Sequence, residues 1–349
     1  MNSGITYLKA LGIMLMVLGH SMCSIPYAIG FLSMFHMPLF FIASGYCFNA
    51  KYLADPLTFL KKRAKGLYVP FVKWTIVFVL LRPLFFATHI YDTTYGFLGE
   101  GATPYDWKDT LWTCWLAVSQ MRGNDWLLGG YWFLNALFFG SIIAWITLRL
   151  SKKSEYALAA SLVLLTVTHL TNFHIVFLNI NTRAFAAAFL FIAGYVMKEK
   201  RMPVFSLWAV VAAIALTFVG IEYWPLAIDY TEYEGWQLFP HLLTAILCTW
   251  AFYSLFTRYA MPAAVQRFFS FVGQHTLSIL TWHLLSFKVV SLVIILIYHL
   301  PIAQLGEFPV IAEYATQGWW LLYLLAGVGL PLAMTMFIDF CLKGRQSTR

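Results

Sequence analysis

Residues 5–24, ITYLKALGIMLMVLGHSMCS, decide the fold class of this chain. The hydrocarbon core of a bilayer is about 30 Å thick and takes about 20 residues of α-helix, which is the length of this apolar run. The run contains two basic side chains, Lys9 and His20. Ionisable groups at membrane depth are costly and are functional candidates by default. The run therefore predicts a membrane span that carries two candidate functional residues.

Nine more segments have the same apolar character, and the composition agrees with them. Of the 349 residues, 61% are hydrophobic and 11% are charged, against about a quarter charged in soluble domains. These values exclude a cytosolic enzyme, a disordered scaffold and a secreted disulfide module. We predict an all-α polytopic bundle of about ten transmembrane helices, in which residues 1–349 form a single membrane domain. The predicted spans are 5–24, 28–49, 67–89, 128–149, 155–171, 181–198, 203–221, 237–257, 271–298 and 317–341.

The distribution of basic residues predicts the orientation. If the N-terminus is cytoplasmic, sixteen of the 23 Lys and Arg residues fall in inner loops or the C-terminal tail, and three fall in outer loops. Because inner loops of membrane proteins are enriched in Lys and Arg, both termini are expected in the cytoplasm, with the protein in the inner (cytoplasmic) membrane. The same bias explains the net charge of +8, so nucleic acid is not an expected partner.

One predicted outward loop, residues 90–127, is much longer than the others and rich in Trp and Tyr. Within it, residues 107–121, WKDTLWTCWLAVSQM, have the spacing of an interfacial amphipathic helix. Two interpretations are open. The aromatic residues anchor the protein at the lipid surface, or they form a stacking platform over a cavity that opens outward.

Lys9 and His20 are eleven residues apart, so both lie on one face of the first helix, about 16 Å apart along its axis. That face offers a cation at the inner surface and an imidazole in the outer half of the membrane. The alternatives are structural: Lys9 extends to lipid headgroups, or a neighbouring carbonyl satisfies His20.

Two further histidines are candidates, His36 in FHMPLFFIASGY and His283 in GQHTLSILTWHLL. Span two is expected to fold back beside span one, so that His36 lies near the depth of His20. A kink is expected near Pro38. Without a third ligand, such a pair is only weak evidence for a metal site, and no metal is expected. The pair is better evidence for acid/base catalysis, because imidazole titrates near neutral pH. For His283, a structural hydrogen bond and a functional role are both open.

The densest basic cluster follows span two and leads into Pro70. It serves the positive-inside rule, or it binds a polyanionic ligand such as the phosphates of a nucleotide-containing donor. At the outer start of span four, a second group of polar and aromatic residues is a candidate site for a ligand. The members of the basic cluster are Lys61, Lys62, Arg63 and Lys65, and those of the outer group are Asp125, Trp132 and Asn135.

Together these motifs resemble the acyltransferase family 3 of integral membrane proteins, especially its fucose-O-acetylase-like branch. The matching pieces are LKALGIMLMVLGHS, FHMPLFFIASGY, the basic stretch before the proline, YWFLNALF, FIAGYVMK and GQHTLSILTWHLL. The resemblance implies an all-helical bundle that moves an acyl group, usually acetyl, from cytoplasmic acyl-CoA to a hydroxyl of a sugar or glycan.

One detail departs from the pattern of the family. Many relatives carry an Arg-x-x-Arg pair before the proline, whereas here Arg63 is followed three residues later by Gly66. Lys62 and Lys65 keep that spacing one residue earlier. A lysine does not reproduce the planar fork of arginine, so the phosphate contacts of the donor are expected to differ in detail.

The resemblance and the residues suggest one mechanism, with acetyl-CoA as co-substrate. His20 removes the proton from the acceptor hydroxyl, and His36 positions the acceptor or stabilises the oxyanion. A covalent acyl-histidine relay is an alternative. The expected donor-binding residues are Lys9, Lys62, Arg63 and Lys65, and the expected acceptor-binding residues are Asp125, Trp132, Asn135 and His283.

Two other classes of protein remain open from the sequence. One is a proton-coupled secondary transporter that exports a glycan or a small anion, with His20, His36 and His283 as a proton relay. The other is a polytopic scaffold whose buried polar groups are all structural. The acceptor sugar, the acylated position, the acyl chain and the oligomeric state are not determined, and a homo-oligomer is left open.

Overall fold

The computed structural model describes residues 2–123, 125–223 and 230–346, and nearly all of its regular structure is helical. The end of the predicted cytoplasmic tail, residues 347–349, lies outside the described residues. The helices are α1 (Ser3–His20), α2 (Ala28–Ser33), α3 (His36–Tyr46), α4 (Pro56–Arg63), α5 (Val69–Ala87), α6 (Trp107–Gln120), α7 (Trp132–Leu150), α8 (Ser154–Leu170), α9 (Thr182–Glu199), α10 (Leu207–Tyr223), α11 (Leu238–Arg258), α12 (Ala263–Gln274), α13 (Thr276–Tyr298), α14 (Ala312–Tyr314) and α15 (Trp320–Gln346).

Within the described ranges, seven helical segments are long and apolar enough to cross a membrane. Each coincides with a predicted span, which confirms the all-α polytopic bundle. The three remaining predicted spans fall on the shorter apolar helices α8 and α10 and on α9. The count of ten and the cytoplasmic termini stay predictions. The seven segments are Ser3–His20, Ala28–Tyr46, Pro56–Ala87, Trp126–Leu150, Gly235–Arg258, Thr276–Tyr298 and Ala312–Cys341.

Two predicted spans are interrupted. Span two divides into α2 and α3 at Met34 and Phe35, ahead of the expected kink at Pro38. Pro38 lies in the first turn of α3, where a missing N–H costs little because the first amides of a helix have no partner within it. Span nine begins in the last turn of α12 and breaks at His275 before α13.

Helix α1 lies at the centre of the bundle and packs against α3, α11, α12, α13 and α15. Most of its residues are buried, among them Leu8, Ile13 and Val17. Its two basic side chains therefore project into the protein interior rather than into lipid, and the elements around α1 decide what those side chains contact.

Helices α3 and α9 cross at two glycines. A Cβ added to Gly45 would lie 1.7 Å from the carbonyl oxygen of Phe191, and one added to Gly194 would lie 2.0 Å from that of Ile42. Small residues let helix backbones approach this closely in membranes. The motifs FIASGY and FIAGYVMK are thus the two halves of one helix crossing.

The long loop after α5 contains a hairpin of β1 (Gly96–Phe97) and β2 (Glu100–Gly101), followed by α6. A capping box between Asp106 and Asp109 begins α6. One face of α6 packs toward α5, and its tryptophans Trp107, Trp112 and Trp115 are exposed. The amphipathic helix is present, and its position at the membrane surface stays a prediction.

Candidate active site

Two adjoining cavities lie along α1, one beside each of its basic side chains. The Lys9 cavity has a volume of about 280 Å³ and lies among α1, α3, α7 and α13. The His20 cavity has a volume of about 250 Å³ and lies among α1, α2, α3, α11 and α13. Three side chains, Met16, Met37 and Leu280, line both cavities and form the partition between them.

The Lys9 cavity is apolar except at one end. Of the described residues that line it, Lys9 alone is basic. Ser44 lies on the neighbouring helix α3, and Cys47 directly follows that helix. Arg63 donates a hydrogen bond of 3.0 Å from Nη1 to Oγ of Ser44. Its guanidinium lies 5.2 Å from the ring centre of Phe191, so the second cation is held at the rim of this cavity.

A π-helical turn, Ala64–Tyr68, joins α4 to α5 and brings the basic cluster to the Lys9 cavity. π-Helical turns within α-helices occur frequently at functional sites. Gly66 and Leu67 of the turn line the cavity, and Lys65 beside them is exposed. Lys62 is exposed as well, and its ammonium donates to the hydroxyl of Tyr52 at 2.5 Å. Of the four predicted donor-binding residues, Lys9 therefore lines the cavity, Arg63 and Lys65 adjoin it, and Lys62 is engaged elsewhere.

The His20 cavity brings together three histidines from three helices. His20 is the last residue of α1, His36 the first of α3, and His241 lies in the first turn of α11. Trp132, a predicted acceptor-binding residue, lines the same cavity. Two tyrosines, Tyr230 and Tyr233, complete its aromatic wall.

His283 contacts His20 from behind. Its Nε2 lies 2.8 Å from Nδ1 of His20, and the two rings are nearly parallel, with centroids 5.1 Å apart. His283 is completely buried and does not line the cavity. The direct hydrogen-bond partner of His20 is thus His283, while His36, the predicted neighbour, shares the cavity.

The hydrogen bonds assign the tautomers of this pair. Nδ1 of His283 faces the carbonyl oxygens of Ile279 at 3.0 Å and Leu280 at 3.1 Å. A carbonyl only accepts, so this Nδ1 carries a proton, and Nε2 of the neutral ring accepts from Nδ1 of His20. The lone pair of His20 is therefore on Nε2, to which no described residue donates a hydrogen bond.

His36 and His241 are fixed by bonds of their own. His36 Nδ1 donates to the carbonyl oxygen of Leu32 at 2.6 Å, which leaves the lone pair of the neutral ring on Nε2. His241 Nδ1 lies 2.9 Å from the hydroxyl of Tyr233. The ring of His36 is thus held by α2, and the ring of His241 by the loop that precedes α11.

Asp125 lies in a separate buried cluster. It accepts a hydrogen bond of 2.5 Å from the Tyr91 hydroxyl and one of 3.0 Å from the Leu127 amide. The Arg82 guanidinium lies 3.6 Å from its other oxygen. Burial raises the pKa of this carboxyl above its ordinary value, against the effect of Tyr91 and Arg82. Asp125 lines neither cavity, and its predicted contact with the acceptor stays a prediction.

Asn135 also lies outside both cavities. It is 5% exposed, and its amide donates to the carbonyl oxygens of Gln120 and Met121 at 3.4 and 3.3 Å. These bonds tie the C-terminal end of α6 to α7. They are the contacts of a residue that stabilises the fold, and its predicted role in binding an acceptor stays a prediction.

Three residues of the His20 cavity, His241, Tyr230 and Tyr233, were not predicted from the sequence. A signal for His241 was present, since it is an ionisable residue inside the predicted span 237–257. The tyrosines lie in a short loop that is predicted to face outward and has no motif, and only the folded chain brings them to the cavity.

Over the described ranges, 2–123, 125–223 and 230–346, no group of three His, Cys, Asp or Glu residues is arranged to hold a metal ion. Comparison with protein families finds one model, an acyltransferase domain, that matches residues 2–337. No curated protein and no solved structure matches the chain. The matched range covers nearly the whole sequence, so the chain belongs to acyltransferase family 3 and is a membrane acyltransferase. The match supports this class over the secondary transporter and the scaffold.

Proposed function

We propose that this protein is an O-acetyltransferase of the fucose-O-acetylase-like branch. It moves an acetyl group from cytoplasmic acetyl-CoA to a hydroxyl of a cell-surface sugar or polysaccharide. The observation that carries the proposal is the placement of Lys9 and His20 on one helix, each at its own cavity, with the two cavities adjoining.

The Lys9 cavity suits the donor. The phosphates of acetyl-CoA are anionic, and cations bind phosphate oxygens through charge-assisted hydrogen bonds. Arg63 at the rim, Lys65 on the π-helical turn and Lys9 in the wall supply these cations. The apolar remainder of the cavity accommodates the pantetheine arm, which extends along α1 toward His20, about 16 Å away.

The His20 cavity suits the acceptor and the chemistry. The aromatic rings of Trp132, Tyr230 and Tyr233 provide flat apolar faces for a sugar ring. In neutral His36, Nε2 carries a lone pair and no proton. It therefore accepts a hydrogen bond from a second sugar hydroxyl. Of its two expected roles, positioning the acceptor is therefore favoured over stabilising the oxyanion.

The transfer step uses Nε2 of His20 as the general base. As this nitrogen takes the hydroxyl proton, the oxygen attacks the thioester carbonyl and forms the new C–O bond. The C–S bond then breaks, and the CoA sulfur leaves with the proton held by His20. The products are the acetyl ester and CoA, and His20 returns to its neutral form.

In this mechanism His283 orients His20 and stabilises its protonated form. The bond between His283 Nε2 and His20 Nδ1 keeps the lone pair of His20 on Nε2. This is the function of the carboxylate that orients a catalytic histidine in hydrolase triads. The predicted contact between His283 and the acceptor stays a prediction, and the buried position of His283 supports the orienting role instead.

The proposal is tested on membranes from a strain of the source organism that lacks the gene. These membranes contain the native acceptor, and they are supplied with isotopically labelled acetyl-CoA after re-expression of the protein. We expect labelled acetyl esters on a surface glycan, detected by mass spectrometry, and none from membranes without the protein. Labelled acetyl found only on lipid or protein would contradict the proposal.

A further inference from the structure

We propose that His241 is a catalytic residue: the N–H at Nε2 of its ring donates a hydrogen bond to the oxyanion that forms on the thioester carbonyl oxygen during transfer. The inference rests on the proposed function and deepens it by naming the group that stabilises the transition state. His241 lies in the first turn of α11, lines the His20 cavity and has no other part in the transfer step.

The transfer step needs a hydrogen-bond donor that His20 and His36 do not supply. As the acceptor oxygen attacks, the electron pair of the C=O double bond moves to the carbonyl oxygen, which becomes negative. Nε2 of neutral His20 takes the hydroxyl proton, and Nε2 of neutral His36 carries a lone pair, so neither nitrogen donates to this oxygen. Donors that are fixed where charge develops usually make the largest single contribution to such catalysis.

The bond to Tyr233 decides which nitrogen of His241 carries the proton. Nδ1 of His241 lies 2.9 Å from the Tyr233 hydroxyl. A phenol hydroxyl is the more acidic donor of the two groups, and an imidazole nitrogen is the more basic acceptor, so the hydroxyl donates and Nδ1 accepts. A neutral ring with its lone pair on Nδ1 carries its proton on Nε2. His241 is therefore the opposite tautomer to His36.

Nε2 of His241 borders open space. No described residue forms a hydrogen bond with this nitrogen, and the described atoms that are both enclosed by protein and without a partner do not include it. His241 and His20 line the same cavity, whose volume is about 250 Å³. A thioester carbonyl that contacts His20 therefore lies in the space that this N–H borders.

His241 is a better-fixed donor than Ser33, which also lines the cavity and carries a hydroxyl. The hydroxyl proton of Ser33 rotates about the Cβ–Oγ bond, and no described bond holds it. The ring of His241 is 4% exposed and packs against the rings of Tyr230 and Tyr233, with centroids 5.8 and 5.1 Å away. A donor that is fixed in advance needs no reorganisation as the charge develops, which favours His241.

The role leaves His241 neutral throughout the transfer. The acceptor oxygen forms the new C–O bond while His20 takes its proton, and the carbonyl oxygen accepts the hydrogen bond from His241 without taking the proton. The electron pair then returns to the carbonyl, the C–S bond breaks, and the CoA sulfur leaves with the proton held by His20. Because His241 only donates, an amide N–H in the same place can substitute for it, whereas no amide can substitute for the base.

The test uses two amide replacements that differ by one methylene. His241→Asn keeps an acceptor near the position of Nδ1 for Tyr233 and leaves no donor near Nε2, whereas His241→Gln places an amide N–H near Nε2. Transfer from acetyl-CoA to glycan extracted from the strain that lacks the gene is measured on membranes with the re-expressed protein. We expect Asn to lower kcat about 10²–10³-fold, with both KM values within threefold, and Gln to recover at least tenfold of that loss.

Two control variants separate the N–H from its surroundings. Ser33→Ala removes the other hydroxyl and should leave kcat within threefold of the unmodified enzyme. His169 lines neither cavity, and its Nε2 donates to the carbonyl oxygen of Gly235 at 2.8 Å, in the loop that also carries Tyr233. His169→Phe should therefore lower thermal stability while kcat per folded molecule stays within threefold.

The outcomes distinguish this inference from the proposed function. If the unmodified enzyme forms no ester on the glycan, the proposed function fails. If esters form but a folded His241→Asn keeps its kcat, or only raises the KM for the glycan, acyl transfer stands and the inference is overturned. A Gln variant no more active than Asn, or an equal loss of kcat in either control, also overturns it. Should His241→Asn not fold, His241→Phe, which keeps a flat ring without an N–H, is measured in its place with the same expectation.

Discussion

Two of the clusters of buried polar side chains in the described part of the bundle differ in one respect. The His20 cluster, with His283 behind it and His36 and His241 beside it, opens onto a cavity. The cluster of Arg82, Tyr91 and Asp125 lines neither this cavity nor the Lys9 cavity, and its members contact one another.

The comparison shows how to interpret an ionisable residue at membrane depth. Both clusters carry the cost of burying polar groups, so that cost alone does not indicate function. The two clusters are distinguished by whether a cavity lies next to a side-chain atom with a lone pair. Among the described residues none donates to Nε2 of His20, and His20 lines a cavity. Asp125 lines neither cavity: one of its oxygens accepts two hydrogen bonds, and the other lies 3.6 Å from the Arg82 guanidinium.

Replacing His20 should produce the largest difference between the clusters. If it is the general base, His20→Ala loses about 10²–10⁴ in transfer rate. It should keep CoA binding, because the phosphates are held about 16 Å away. His20→Gln should be nearly as inactive, since an amide does not accept a proton at neutral pH. Acetyl transfer, CoA affinity and thermal stability are measured on both variants.

A structural His20 predicts the opposite pattern. Glutamine would then preserve activity by keeping a hydrogen bond, and alanine would lower stability and activity together. An active and well-folded His20→Gln would end the general-base assignment.

Replacing His283 should have a smaller effect, because it acts through His20. Replacing a residue that orients a metal-bound histidine typically costs about 10- to 100-fold in activity, and we expect a similar loss for a neutral imidazole that orients His20. We expect His283→Leu to lower kcat by this amount with an unchanged KM for the acceptor, and His283→Asn, which retains a donor and an acceptor, to recover part of the loss. A raised KM with unchanged kcat would instead indicate that His283 contacts the sugar.

Charge reversal at the Lys9 cavity should weaken the binding of the donor. Arg63→Glu combined with Lys65→Glu should reduce CoA affinity more than tenfold, since each charge-assisted contact is worth about 1.5–3 kcal/mol. The loss should shrink with added salt. Lys62→Glu is the control, because its ammonium is bonded to Tyr52. Binding is measured by thermal protection with CoA, and equal losses in both variants would indicate a general charge effect.

The rate at which Cys47 is alkylated should show directly whether the Lys9 cavity is occupied. It is exposed and lines that cavity, whereas Cys341 is exposed elsewhere. Saturating CoA should slow alkylation of Cys47 by a maleimide about tenfold and leave Cys341 unchanged. Unaltered labelling of Cys47 at saturating CoA would place the donor in another part of the protein.

Much of the fold was predictable because lipid imposes simple rules. A helix must be apolar over about 20 residues to span the bilayer, and all seven long apolar segments of the described chain were found from hydropathy. The interruptions at Phe35 and His275 were not, since packing against other helices decides where a long apolar run breaks. The helix crossing at Gly45 and Gly194 likewise depends on which two helices meet.

The candidate site was predictable only in part, for a similar reason. The spacing of Lys9 and His20 lies within one helix and follows from helix geometry. The bond between His20 and His283 joins residues 263 positions apart, and nothing local to either residue predicts it. Asp125 and Asn135 were flagged by their polarity, which did not reveal that the fold itself supplies their partners.

The smallest expected effect on catalysis is at Asp125. Removing one partner of a buried ion pair leaves the other uncompensated, so Asp125→Ala should lower the stability of the protein by about 3–5 kcal/mol. Transfer per folded molecule should stay within twofold of the unmodified enzyme, because Asp125 lines neither cavity. Asp106→Ala, at the exposed start of α6, is the control and should cost about 1 kcal/mol. Thermal unfolding is measured beside acetyl transfer normalised to folded protein. A stable Asp125→Ala with a raised KM for the acceptor would show that this cluster, too, belongs to the active site.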